Sequence, residues 1–278
     1  MKPELVFAKM DPAICLAGLF RTLKRGERQK EKLDVSFTFG GATVRFVGFE
    51  PLGVDDLRVL QGLVALAGPA GMHVSADTSA PVGVELRERM QLAGAAISED
   101  TLAVRTRLKT FLAELGKENP GGRDIKLLKA SLLRLANVTV GVTVGPKFGT
   151  AHLLSFAADE ETGELIVNLN PRLSQVILGD KGYTRIDMGE VRSLQSDVAS
   201  LIHQRLCGFI APGRSREVGL ETLVSYAYPG PPASGATQRQ WRARVKAALK
   251  ELGSLPGWDI AESSRRGIYK ISRQGQRG

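Results

Sequence analysis

The sequence predicts an α+β protein built from two tandem winged-helix domains that are related by duplication. In both halves of the chain, a helix with apolar residues at helical spacing is followed by short β-prone segments, which is the layout of a winged helix. The segment Leu178–Tyr183 is short and polar and contains two glycines, so we place the boundary there. We therefore expect one domain at residues 1–179 and the other at residues 180–278.

The elements of the first half follow from apolar periodicity and from turn residues. Apolar residues three or four positions apart predict helices at residues 12–23, 55–67, 84–93, 102–115 and 124–136. Runs of β-prone residues predict strands at residues 33–39, 42–49, 138–144, 152–156 and 165–169. Gly40-Gly41 favours a hairpin between the first two strands. Residues 24–32 form a charged connector with five basic residues against Glu27 and Glu31.

The second half repeats this pattern in a shorter form. Helices are predicted at residues 196–210, 220–227 and 237–252, and strands at residues 258–260 and 268–271. The proline- and glycine-rich segment Pro229–Ala236 cannot be helical. Thr237 follows it directly and is expected to be the N-cap of the last helix, because its hydroxyl can accept a hydrogen bond from a free amide in the first turn.

The last predicted helix separates apolar from basic residues. At 100° per residue, one face holds Trp241, Val245, Ala248, Leu249 and Leu252. Arg239, Arg242, Lys246 and Lys250 form a stripe about 110° around the helix from that face, with Arg244 on the opposite flank. One side can therefore pack on a core while the other enters a DNA major groove, which is about 12 Å wide. A surface helix whose basic side meets only water is the alternative.

A basic hairpin follows this helix. Arg265 and Arg266 are at its tip, and Lys270 is on its return strand. A winged helix holds backbone phosphates with such a hairpin while its helix reads the neighbouring groove. We therefore predict that double-stranded DNA is bound by the following residues of the C-terminal domain: Thr237, Gln238, Arg239, Arg242, Arg244, Lys246, Lys250, Arg265, Arg266 and Lys270.

The charge distribution supports a polyanionic partner. The net charge is +9, and residues 237–278 hold ten basic and three acidic residues, which is +7 of that total. The first half offers a second basic helix, residues 124–136, with Lys126 and Lys129, preceded by Arg123 and followed by Lys147 in a later turn. We expect these four residues to make a weaker DNA contact; a structural or dimerisation role for this helix is an open alternative.

No enzyme motif is found in the sequence. A GxxxxGK[ST] loop, an HExxH or HxH pattern and a GxSxG turn are all absent, so we expect no catalytic residues, no metal site and no cofactor. His203 is expected to be a packed or surface residue. Cys15 and Cys207 are far apart, which favours reduced thiols and a cytoplasmic protein. We expect no membrane span, because no apolar run approaches the roughly 20 residues that a bilayer core requires. We also expect no secretory signal, because the N-terminus is interrupted by Lys9 and Asp11-Pro12.

Three blocks of sequence resemble a known family: residues 11–35 (DPAICLAGLFRTLKRGERQKEKLDV), residues 50–69 (EPLGVDDLRVLQGLVALAGP) and residues 201–213 (LIHQRLCGFIAPG). They are similar to the RepC replication initiators of IncQ-type broad-host-range plasmids, as are LNP at 169–171, DMGEVRSL at 187–194 and the final helix and hairpin. The resemblance implies two winged helices of common ancestry that bind direct repeats (iterons) at the plasmid origin and help to open an adjacent AT-rich region. It also implies the plasmid's helicase and primase as partners, and base and phosphate contacts from Arg239, Arg242 and Lys246.

Two other classes of protein stay open at this point. A winged-helix transcriptional repressor would bind an inverted repeat as a symmetric homodimer, whereas an initiator would bind head-to-tail repeats. A domain that only joins other proteins is the third possibility. The absence of an aromatic RNA-binding motif argues against RNA readout.

Overall fold

A computed structural model describes residues 5–24, 26–179 and 181–275. The fold is mixed α/β. The helices within these residues are α1 Pro12–Leu16, α2 Val54–Ala70, α3 Pro81–Arg89, α4 Leu108–Glu114, α5 Gly122–Ala136, α6 Pro171–Leu178, α7 Met188–Ser193, α8 Asp197–Phe209, α9 Leu220–Ala227 and α10 Gly235–Gly253. The strands are β1 Phe7–Met10, β2 Leu33–Phe39, β3 Ala42–Gly48, β4 Met72–Val74, β5 Ala93–Gly94, β6 Thr101–Arg107, β7 Thr139–Val144, β8 Lys147–His152, β9 Leu154–Ala158, β10 Glu164–Leu169, β11 Thr184–Asp187, β12 Arg214–Gly219, β13 Trp258–Glu262 and β14 Ile268–Arg273.

The strands form four antiparallel sheets. Their orders are β2-β3-β7-β8-β5, β4-β6-β10-β9, β12-β14-β13 and the pair β1-β11. The pairing of β1 with β11 joins Phe7 to Asp187, and α1 packs on α8, so the beginning of the described chain lies against its second half. A large connected core extends from Leu5 to Ile271, and Val74, Leu86 and Ala103 form a small second cluster.

Two parts of the molecule share one order of elements. The C-terminal unit runs α8, β12, α9, α10, β13, β14, with β14 between β12 and β13 in the sheet. The N-terminal unit runs α2, β6, α4, α5, β9, β10, with β10 between β6 and β9. In each unit the second long helix therefore precedes a hairpin whose return strand is central. Further elements interrupt the N-terminal unit, and two of them, β7 and β8, extend the sheet that β2 and β3 begin.

Several predicted elements are confirmed, and others are wrong for identifiable reasons. Helix 55–67 is found as α2, helix 124–136 as α5, helix 196–210 as α8 and helix 220–227 as α9. The helix predicted at 12–23 ends at Leu16, because Gly18 adopts a left-handed conformation (φ 73°) that stops it. The helix predicted at 84–93 is α3, which begins at Pro81 and ends at Arg89.

The largest error concerns residues 102–115. Thr101–Arg107 is the strand β6, which pairs with β4 and β10, and only Leu108–Glu114 is helical. Its partners lie about 30 and 60 residues away in the chain, so tertiary pairing overrides a local pattern that reads as a helix. The three strands predicted after residue 136 do not share one sheet: β9 and β10 form an antiparallel hairpin, whereas β7 pairs with β3 and β8.

The division at residues 179 and 180 stays a prediction, and Asp180 lies outside the described residues. Within the described ranges, the structure has no helix that combines the length and the apolar character needed to cross a bilayer.

Candidate nucleic-acid interface

Helix α10 buries the face that the sequence predicted. Its buried residues are Trp241, Val245, Ala248, Leu249 and Leu252. The helix begins one turn earlier than expected, because Ser234 and not Thr237 is the N-cap: the Ser234 hydroxyl accepts a hydrogen bond from the Thr237 amide at 3.1 Å. The Thr237 hydroxyl lies 3.0 Å from the Ser234 hydroxyl, so both side chains stay at the exposed N-terminus of the helix.

A stacked aromatic pair fixes α10 to the end of α9. The rings of Tyr228 and Trp241 are nearly parallel, with centroids 4.6 Å apart, and both side chains are buried. Such pairs contribute about 0.5–1.5 kcal/mol beyond the area they bury. The orientation of α10, and with it the direction in which its basic side chains point, is therefore set by a rigid contact.

The basic stripe, Arg239, Arg242, Lys246 and Lys250, lies on the solvent side of α10. Three of its members, Arg239, Lys246 and Lys250, are exposed and form no ion pair with any described residue. Arg244, on the other flank, is also exposed. These cations are available to an anionic partner.

Arg242 differs from the rest of the stripe because α9 supplies a partner for it. Its Nε donates to Glu221 Oε1 at 2.6 Å, and the Gln238 amide donates to the other oxygen of the same carboxylate at 3.4 Å. The hydrogen bond from Arg242 lowers the pKa of Glu221, so the carboxylate is charged at neutral pH. Glu221 therefore orients two adjacent side chains of α10.

The β13–β14 hairpin carries the remaining basic candidates of this unit. Arg265 pairs with Glu217 of β12, while Arg266 and Lys270 are exposed without an ion-pair partner among the described residues. Gly267 has φ 77°, and its carbonyl accepts a hydrogen bond from the Leu220 amide at 2.8 Å. The hairpin tip is thus held against the start of α9, beside α10.

The four candidates of the first half lie on α5 and β8. Arg123, Lys126 and Lys147 are exposed, whereas Lys129 forms an ion pair with Glu160. Leu127 and Leu133 are also on the surface of α5, 54% and 58% exposed. Asp124 caps the helix by accepting a hydrogen bond from the Gly121 amide at 3.0 Å. The exposed face of α5 is therefore mixed, with apolar residues between the cations.

The two acidic partners, Glu217 and Glu221, were not found by sequence reasoning. Each contact joins two elements that meet only in the folded chain, β12 with the hairpin and α9 with α10. An excess of arginine on α10 gives no indication of which arginine is paired.

The sequence predicted that His203 is either a packed or a surface residue, and the structure shows that it is buried. Its Nε2 lies 2.6 Å from Glu190 Oε2 and 3.6 Å from Cys207 Sγ, and the donor atoms of these three residues all lie within 4.8 Å of one another. Burial opposes protonation of the imidazole, but Cys207 and Glu190 outweigh it and raise the pKa of His203 to about 10. The imidazole and the carboxylate therefore form a charged pair that joins α8 to α7.

Comparison with known proteins identifies the family. The model of Replication protein C (RepC) matches residues 2–275, which is almost the whole sequence. The chain belongs to the RepC family. The resemblance to RepC proteins that was seen in the sequence is confirmed. The matched residues include the whole of α10 with its basic face.

The fold has a counterpart among solved structures. The crystal structure of domains 2 and 3 of RctB superposes with a TM-score of 0.56 and 10% identity, and the match covers 96% of this chain and 99% of the RctB chain. At this identity the likeness shows a shared fold only. A search of curated protein sequences finds no match.

Proposed function

We propose that this RepC-family protein initiates plasmid replication by binding direct repeats in double-stranded DNA. The observation that carries the proposal is the division of α10 into a buried face anchored by Trp241 and an exposed stripe of arginine and lysine. Arginine donates bidentately to guanine O6 and N7, and lysine suits phosphate. Helix α10 would lie in the major groove, and Arg266 and Lys270 of the hairpin would contact the neighbouring backbone.

The proposal includes a winged-helix assignment for both units. It is supported by their common order of helix, strand, helix, helix, strand, strand, and by the central position of the last strand in each sheet. Two units with one topology are what duplication produces. By this correspondence α5 is the counterpart of α10, which supports a second DNA contact by Arg123, Lys126 and Lys147.

The steps after DNA binding are those that the resemblance to IncQ-type initiators implies. Binding to iterons would bring the protein to the plasmid origin, where it would help to open an AT-rich region and meet the plasmid's helicase and primase. A homodimer belongs to this proposal, as do a cytoplasmic location and the absence of catalysis.

A footprint on the origin of the replicon that encodes this chain tests the proposal. We expect protection of head-to-tail repeats by the wild-type protein. Arg242→Ala should weaken binding by about 1–3 kcal/mol at one base pair and relax the preference there. Lys250→Ala, at the far end of the stripe, serves as the matched control and should weaken all sequences equally. Protection of a single inverted repeat would support a repressor instead, and a uniform loss with Arg242→Ala would make Arg242 a phosphate contact.

A further inference from the structure

The connector, of which the structure describes Lys24 and residues 26–32, is fixed between the two units. Just before it, the Thr22 amide and hydroxyl both donate to the Ala227 carbonyl at the end of α9, at 3.0 and 2.8 Å. Within it, Arg28 donates to the fully buried carboxylate of Asp56 on α2 at 2.9 Å, and Arg134 of α5 binds the other oxygen of that carboxylate. The connector thus has a defined position relative to both α10 and α5.

The charges of this segment divide into two sets. Arg21, which precedes the connector, pairs with Glu27 and Glu31, and Arg28 pairs with Asp55 and Asp56. These arginines hold the fold together. Lys24, Lys30 and Lys32 are exposed and have no ion-pair partner among the described residues. An anchored segment therefore presents three exposed lysines, and none of them forms an ion pair that would stabilise the fold.

An open cleft of about 410 Å³ places Lys24 beside α10. Residues 21–24, Glu27 and Glu31 line one side, and Thr237, Gln240 and Arg244 of α10 line the other, with Tyr228 and Trp241 also contributing. The lining is mainly polar and includes the exposed N-terminal turn of α10. Lys24 and Arg244 both line this cleft.

We infer that the connector is a third DNA contact, in which Lys24, Lys30 and Lys32 bind phosphates between the contacts of α10 and α5. The inference rests on the proposed function. It assigns a binding role to a segment outside both units, and it explains why cations accumulate in a segment whose acidic residues are already paired. Each neutralised phosphate releases counterions, which contributes about 0.9 to the slope of log K against log salt.

The experiment compares the salt dependence of two variants of the full-length chain. The DNA probe is a 40-base-pair duplex selected by the wild-type protein from a random-sequence library. K24Q/K30Q/K32Q should bind this probe at least tenfold more weakly at 0.15 M salt, with a slope smaller by about 2.7. The control R45Q/R89Q/R105Q removes the same net charge from exposed residues, none of which lines the cleft, and should keep the wild-type slope.

The outcomes separate the two proposals. If the wild-type protein selects no sequence, the proposed function fails. If it selects one and K24Q/K30Q/K32Q binds it with the slope of the control, only the connector inference is overturned. K24R/K30R/K32R keeps the charges and should bind as the wild type does; a weakening equal to that of the glutamine variant would mean that the lysines act through the fold and would also overturn the inference.

Discussion

Arg242 and Glu221 show how one basic residue of α10 is set apart from its neighbours. The guanidinium of Arg242 is held in place by an acidic side chain on α9, while Arg239 is held by no described ion pair. An arginine whose orientation is fixed before binding loses less side-chain freedom when it meets a base. The carboxylate would also repel phosphate, so under the proposed function Glu221 would oppose binding to any DNA while it favours one orientation of Arg242.

We predict that Glu221→Gln binds random-sequence DNA more tightly and discriminates less. Exposed ion pairs contribute about 0.2–1 kcal/mol, so discrimination against a mismatch at the Arg242 base pair should fall about threefold. Dissociation constants for a selected site and its mismatched version measure this. Glu217→Gln is the matched control, because Glu217 pairs with Arg265 on the hairpin; it should raise affinity for all DNA and keep the discrimination. Equal behaviour of the two variants would show that Glu221 does not position Arg242.

At the scale of single residues, the sequence predicted burial correctly where it depends on the periodicity of one helix. The buried face of α10 follows from 100° per residue, and all five predicted residues are buried. The N-cap was misplaced because Ser234 and Thr237 both offer a hydroxyl, and Gly235 and Ala236 between them can join the helix. The pairing of Arg242 with Glu221 depends on how α9 packs against α10, which no local pattern contains.

At the scale of elements, α8 is tied to α7 by the buried pair of His203 and Glu190. Burial opposes ionisation of Glu190, but the hydrogen bond and charge of His203 outweigh it and lower the pKa of this carboxyl. The pKa of His203 is raised from 6.5 to about 10 in the folded chain, so protonated His203 stabilises the fold. This stabilisation is fully present below pH 6.5 and is lost as the pH rises toward about 10. The lowered pKa of Glu190 stabilises the fold above pH 4.5 and is lost in acid.

We therefore predict that His203→Gln lowers the free energy of unfolding by about 3 kcal/mol near neutral pH, since it removes the main charged partner of a mostly buried carboxylate. The difference from the wild type should shrink between pH 6.5 and pH 10, as measured by urea unfolding. His152→Gln is the control: burial lowers the pKa of His152, so its difference should change below pH 6.5 and not above it. A His203→Gln difference that stays constant from pH 6.5 to pH 10 would show that His203 is neutral in the folded protein.

Prediction of elements failed mainly where strands pair with distant segments. The strand β6 resembles the start of a helix because LAVRTRL has apolar residues at both spacings, and its partners β4 and β10 decide the outcome. The strand β12 was not predicted because RSREVG is polar; it lies at the edge of its sheet, where only Val218 is buried. Edge strands need little apolar periodicity, so their sequences reveal them poorly.

At the scale of the whole molecule, the repeated order of elements was only partly visible in the sequence. The C-terminal unit is uninterrupted from α8 to β14, so its helices and hairpin could be predicted in order. The N-terminal unit is interrupted twice, by the segment from β4 to Ser98 and by β7 and β8. Because β7 and β8 follow α5 directly, the sequence does not reveal that both belong to the sheet of β2 and β3.

The correspondence of α5 with α10 leads to the last prediction, which concerns how both units meet one DNA site. Successive major grooves on one side of a duplex are about 34 Å apart, so two bound helices should protect roughly 20 base pairs. Arg123→Gln with Lys126→Gln should remove protection at one end of the footprint and leave the α10 end intact. Lys129→Gln is the control, because Lys129 is already paired with Glu160 and should matter little. If the double variant keeps the full footprint but shifts the sedimentation coefficient from dimer to monomer, α5 is a dimerisation helix, in which exposed Leu127 and Leu133 are the contacts.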